Sequence, residues 1–174
     1  MLQLDKHMVR VTSASLNAEN HGRDNHATGM TMKFKGTVSQ NVLDVFSAAL
    51  RVTLFRAQKS GDQLDLAREN EGLVVVQYPK LKPLVWDEKF PGYSFAVGSP
   101  SIGLQEPITI DDATLKDVSF KALDGGSVEL GFSLYFHPEE SQFGPLARLM
   151  KEDAELTLIP PSAEKQRELE DLAA

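Results

Sequence analysis

The chain has 174 residues, 41% of them hydrophobic and 25% charged, which is enough to bury a core and too apolar for wholesale disorder. It contains no cysteine, which excludes disulfides, thiolate metal sites, iron–sulfur clusters and cysteine nucleophiles. A net charge of −7 argues against a uniformly basic nucleic-acid or membrane coat.

That charge is uneven. Residues 1–87 carry eleven Lys and Arg against nine Asp and Glu, net +2, whereas residues 88–174 carry seven against sixteen, net −9. The positive half predicts a surface that can face an anion. No apolar run approaches the roughly eighteen residues of a membrane span, and the start, Met1-Leu2-Gln3-Leu4-Asp5-Lys6-His7, lacks the basic and apolar regions of a secretory signal. The expectation is a cytoplasmic protein with no membrane partner.

In chain order, Met8–Leu16 reads as a strand with Val9 and Val11 on one face, and Asn17–Thr28 as a loop of charged and small residues. Met30, Met32 and Phe34 alternate with Thr31, Lys33 and Lys35, so a second strand carries both lysines outward. Ser39 or Asn41 caps a helical segment in which Val42, Val45, Phe46, Ala49 and Leu50 share a face. Ser60–Gly72 is a loop, and Leu73–Val76 a β-branched strand stopped by Pro79. Leu84 and Trp86 share one face of a strand-like segment. Tyr93, Phe95 and Val97 alternate between Gly92 and Gly98, and Ile108–Ile110 forms a further strand.

The strongest signal follows. Val118, Phe120 and Ala122 lead into Asp124-Gly125-Gly126, and Val128, Leu130, Phe132, Leu134 and Phe136 resume strict alternation. Period two on both sides of a glycine-rich turn is a β-hairpin signature. One or two helical turns over Leu146–Met150, a strand over Glu155–Ile159 ended by Pro160-Pro161, and a polar helix or tail over 162–174 complete the chain. The sum is an all-β protein: a mainly antiparallel sandwich or barrel of about eight strands with one or two short helices, forming a single domain over 1–161. Its core is expected to hold Val9, Val11, Met32, Phe34, Val74, Val76, Phe95, Phe120, Phe132, Leu134 and Leu158.

Chemistry-bearing motifs are sparse. His21 and His26 lie in one loop and His137 at a strand end; zinc needs three or four converging ligands, so they read as solvated histidines and no metal is expected. The acidic pairs Asp111-Asp112, Glu139-Glu140 and Glu152-Asp153 point to opposite faces wherever they lie on strands. No nucleophile elbow, phosphate-binding Gly-Lys loop or zinc-protease helix occurs. The expectation is a non-enzyme without cofactor. A binding surface is better supplied: Lys33 and Lys35 share a strand face, Arg51 and Arg56 end the helical segment, and Lys80 and Lys82 precede Trp86. Tyr78, Trp86, Tyr93 and Tyr135 are available for stacking. Basic grooves with aromatic platforms hold single-stranded nucleic acid, and with Trp86 assigned to inward packing, Tyr93 is the first stacking candidate.

Asn20-His21-Gly22, Val42-Leu43-Asp44-Val45-Phe46 with Leu50-Arg51, Leu84-Val85-Trp86 and Gly92-Tyr93 resemble a family of small uncharacterised proteins of tailed bacteriophages and prophages. Gly125-Gly126-Ser127-Val128, His137-Pro138, Gly144-Pro145-Leu146, Leu156-Thr157-Leu158 and Pro160-Pro161 carry the same resemblance through the C-terminal part, over residues 9–161. It implies an early-region setting near recombination and replication genes, and with it a single-stranded DNA-binding role. The acidic tail with a terminal aromatic, typical of phage single-strand binders, is absent from Glu168–Ala174. The alternative is a protein-binding module, an inhibitor of a host defence factor or a phage assembly subunit, for which the acidic half and a sandwich's open strand edges are suited. Self-association is compatible with either role.

Overall fold

A computed structural model describes residues 1–20, 26–59 and 72–173. The alternation beginning at Val9 runs further than its apolar residues, giving β1 (Leu4–Asn20) and its hairpin partner β2 (His26–Ser39). Most of the expected loop Asn17–Thr28 is therefore strand, paired from Asn17↔Gly29 to Asn20↔His26. The signal was hidden because Ser15, Leu16, Asn17 and Thr28 are all exposed, and a ribbon without a buried face shows no apolar period. Residues 21–25, with His21, lie outside the described residues, as does 60–71 of the expected loop Ser60–Gly72.

The single helix expected after Ser39 is two pieces. Ser39 caps a 3₁₀ turn over Gln40–Val45. Ser47, itself extended at φ −162°, then caps α1 (Ala48–Leu54), and a residue in that conformation breaks the helix between them. A two-stranded antiparallel sheet follows, β3 (Phe55–Ala57) with β4 (Leu73–Val76). Next come β5 (Leu84–Trp86), β6 (Phe90–Ser99) and β7 (Leu104–Leu123). The alternation places one strand at Ile108–Ile110 and another from Val118 to Ala122, which the structure joins in β7. In the structure Asp112 (φ 61°) and Asp117 (φ 54°) take left-handed conformations inside one continuous strand, which Asp tolerates. Gly125 and Gly126, both at positive φ, turn the chain into β8 (Ser127–Phe136), as the alternation predicts. The chain ends with α2 (Phe143–Arg148), β9 (Asp153–Ile159) and α3 (Ala163–Ala173).

Contacts divide the chain into two compact units where the sequence suggests one domain. The larger comprises Leu2–Gly36, Trp86–Val118 and Gly131–Ala174. The strands pair in the order β7-β6-β9-β1-β2-β8, and β8 pairs back onto β7, so the ladder closes on itself; β5 is an added edge strand on β7. Closure decides for a barrel over a sandwich. Six strands enclose less space than the eight that side chains can just fill, and aromatic rings meet across the interior. Phe34 stacks on Phe132 (centroids 5.4 Å) and Phe95 meets Phe136 edge-on (4.9 Å). Every residue expected in the core is buried, those of the smaller unit included.

The smaller unit comprises Met1, Thr37–Val85 and Ser119–Leu130. There Phe46 packs edge-on against Phe120 at 4.9 Å. Gly125 N–H donates to the Val74 carbonyl (3.0 Å), and Val76 N–H to the Asp124 carboxylate (3.4 Å), lacing β4 to the hairpin turn. Among the described residues no helix is long and apolar enough to cross a membrane.

The C-terminal segment is a docked helix. Ser162 caps α3, its Oγ accepting from Lys165 N–H at 3.3 Å. Lys165 Nζ lies 3.5 Å from the Asp112 carboxylate, and α3 lays Leu169 and Lys165 against Gly92 of β6.

Tyr93 is only 1% exposed, beside Phe95 and Val97 on the inward face of β6. Burial pushes its phenol from 10.0 up to about 12, partly offset by a hydrogen bond with the Leu2 backbone. An unfolded tyrosine ionises first, so the neutral phenol stabilises the fold below pH 10, and that contribution is lost as pH rises through 12. Alkaline unfolding followed by circular dichroism is expected to steepen in this window. Tyr93→Phe should flatten the pH dependence there, and an unchanged profile would contradict the assignment.

Candidate nucleic-acid interface

The outward face of β2 is where the expected site residues come closest to a surface. Because Met30, Met32 and Phe34 point into the barrel, Gly29, Thr31, Lys33 and Lys35 lie on the opposite face, where Gly29 and Thr31 are covered and the two lysines reach the surface. Lys33 and Lys35 are exposed, as the alternation predicts. On one side, β1 places Arg10 opposite Lys35 and Ser13 opposite Lys33, with a register shift between Val11 and Ser13. Thr12 Oγ1 spans that irregularity, donating to the Lys33 carbonyl at 3.1 Å. Arg10 reaches Asp153 of β9 at 3.1 Å with both side chains more than half exposed, a pair worth about 0–1 kcal/mol that a stronger anion can displace.

On the other side of β2, β8 contributes Tyr135. A side chain at Gly29 would meet the tyrosine ring at 2.6 Å (Cε2) and 2.8 Å (Cζ), so Gly29 is the floor on which the ring lies. Lys116 of β7 holds its Nζ over the ring, 5.2 Å from the centroid, and the Tyr135 hydroxyl is 3.1 Å from His137 Nε2. An aromatic ring and three cations, Arg10, Lys33 and Lys35, thus share one outer face. Gly29 and Lys33 stand four residues apart on β2, about 13 Å.

The remaining expected residues divide. Tyr93 is corrected: its burial removes it as a base-stacking surface. Arg51 is half-buried and held by Asp44 (3.2 Å) and Asn41 (3.2 Å), so its guanidinium already serves α1. Arg56 donates to the Ala57 carbonyl at 3.2 Å. Lys80 and Lys82 are exposed in the smaller unit. Trp86 is half-buried on the same face of β5 as Leu84, its Nε1–H donating to Glu88 at 2.8 Å. Arg10 and Lys116 were missed. Arg10 follows Val9 in strict alternation and was legible as outward, but its neighbour across the ladder was not.

Among the described residues no three His, Asp or Glu side chains gather as a metal site. No protein-family model, curated protein or solved structure matches the chain.

Proposed function

We propose that this is a non-enzymatic phage accessory protein that binds single-stranded DNA along the outer face of β1, β2 and β8. The observation that supports it is the row Arg10–Lys35–Lys33 ending at Tyr135 on the same side of the barrel; the phage setting rests on the sequence resemblance. Cations along a strand face track phosphate, and the ring offers a face to a base. Tyr135 takes the part first given to Tyr93. Lys116 covers the ring at rest, an attraction of about 0.5–1 kcal/mol at an exposed site. A stacked base is worth about 1–3 kcal/mol, so it displaces the ammonium, which is then free to meet a phosphate.

Titrating a labelled oligothymidylate at increasing salt tests this. Affinity should fall linearly on a log–log plot, and Lys33→Ala with Lys35→Ala should reduce the slope by about 1.4, at roughly 0.7 per single-strand phosphate contact. An unchanged slope would move the phosphate path off β2, and absence of binding at low salt would end the reading. A host protein retained after nuclease digestion would favour the protein-binding alternative instead.

A further inference from the structure

We infer that β5 is a dimerisation strand, pairing antiparallel with β5 of a second copy of this chain about a two-fold axis at Val85. β5 stands at the end of the strand order with β7 on one side, and among the described residues no strand pairs its outer edge. Val85 is 69% exposed, the most exposed of the large apolar side chains described. Unpaired edges invite strand addition, and the sequence around this one is complementary to its own reverse.

In Lys82-Pro83-Leu84-Val85-Trp86-Asp87-Glu88, Leu84 and Trp86 flank Val85 and Lys82 and Glu88 stand three residues to either side with opposite charge, while Pro83 and Asp87 are unmatched. An isologous antiparallel pair centred there sets Val85 against its copy, Leu84 against Trp86 and Lys82 against Glu88, each contact made twice. Lys82 and Glu88 are both exposed, and Glu88 keeps acceptor sites beyond its bond to Trp86. Centring the pair on Leu84 instead sets Lys82 against Trp86 and Leu81 against Asp87. Centring it on Trp86 sets Glu88 against Leu84 and Lys82 against Phe90. The Leu84 register also brings Lys80 against Glu88, but only the Val85 register pairs the three residues of β5 wholly among themselves, with Lys82 against Glu88 just beyond them. Pro83 lies outside the three paired residues, so its missing N–H costs the ladder nothing there. The pair also closes on itself and leaves no open edge to propagate.

Sedimentation equilibrium of the full chain without DNA, from low micromolar to the highest attainable concentration, should show mass rising from one chain to two. Lys82→Glu, which sets two carboxylates together at each end, should hold the protein at the one-chain mass, and so should Glu88→Lys. The double swap should restore the dimer. Circular dichroism of each variant checks that the barrel is intact. A one-chain mass at every concentration overturns the proposal, as does a dimer that Lys82→Glu leaves unchanged or a swap that fails to restore it.

Discussion

Phe34→Ala is expected to cost about 3–5 kcal/mol, as truncation of a buried aromatic does. Phe34 is 2% exposed and stacks on Phe132 at 5.4 Å with the rings 22° apart. Against a usual total of about 5–15 kcal/mol, that loss leaves a barrel near its stability limit. Its sequence neighbours behave oppositely. Lys33→Ala and Lys35→Ala remove exposed side chains and should change stability by no more than about 0.5 kcal/mol, while the proposed single-stranded DNA binding, which rests on these cations, should weaken. Consecutive residues of one strand therefore separate folding from the proposed binding. Urea denaturation measures it: the Phe34→Ala midpoint should fall sharply at constant m-value, and both lysine midpoints should stay in place. Comparable losses at Phe34 and Lys33 would mean that β2 does not present these faces.

The same alternation explains what could be read from the sequence. Strict period two over Val128–Phe136 and Met30–Phe34 reports one buried and one solvated face, and those strands and the core they build were legible. So was the inward direction of Tyr93, which keeps step with Phe95 and Val97. Assigning Trp86 inward leaves Tyr93 as the stacking candidate despite that alternation, and in the structure the Leu2 backbone satisfies its hydroxyl inside. Closure of the barrel was not legible, since nothing local to β7 or β8 states that β8 also pairs with β2. Tyr135 could be placed outward from its own strand. Its floor at Gly29 and its cover at Lys116 come from residues more than a hundred positions and nineteen positions away in sequence, a juxtaposition only the ladder creates. Arg51 failed differently: its charge marked it for phosphate, but Asp44 and Asn41, close in sequence, reach it once the chain turns through Gln40–Val45 into α1.

Gly92→Val should be strongly disruptive, because it combines two penalties. Gly92 holds φ +82°, a region that is an outlier for a β-branched residue, with strain of about 1–3 kcal/mol. A Cβ there would also stand 2.8 Å from Leu169 Cδ1, 3.3 Å from Pro161 Cβ and 3.5 Å from Lys165 Cε. The nearest atom belongs to α3, so the clash should lift the helix and part Lys165 from Asp112, adding about 1–3 kcal/mol of overpacking. Limited trypsin digestion should then cut at Lys165 and Arg167 faster than in the parent protein, alongside a lowered melting temperature. A double-mutant cycle separates the causes. Leu169→Ala makes room for the new side chain without changing φ, so in that background Gly92→Val should recover the packing part of its cost and retain the backbone part. Full recovery would show that φ contributes nothing. No recovery, with α3 as resistant to trypsin as before, would show that Leu169 does not press on Gly92 and that the helix is held elsewhere.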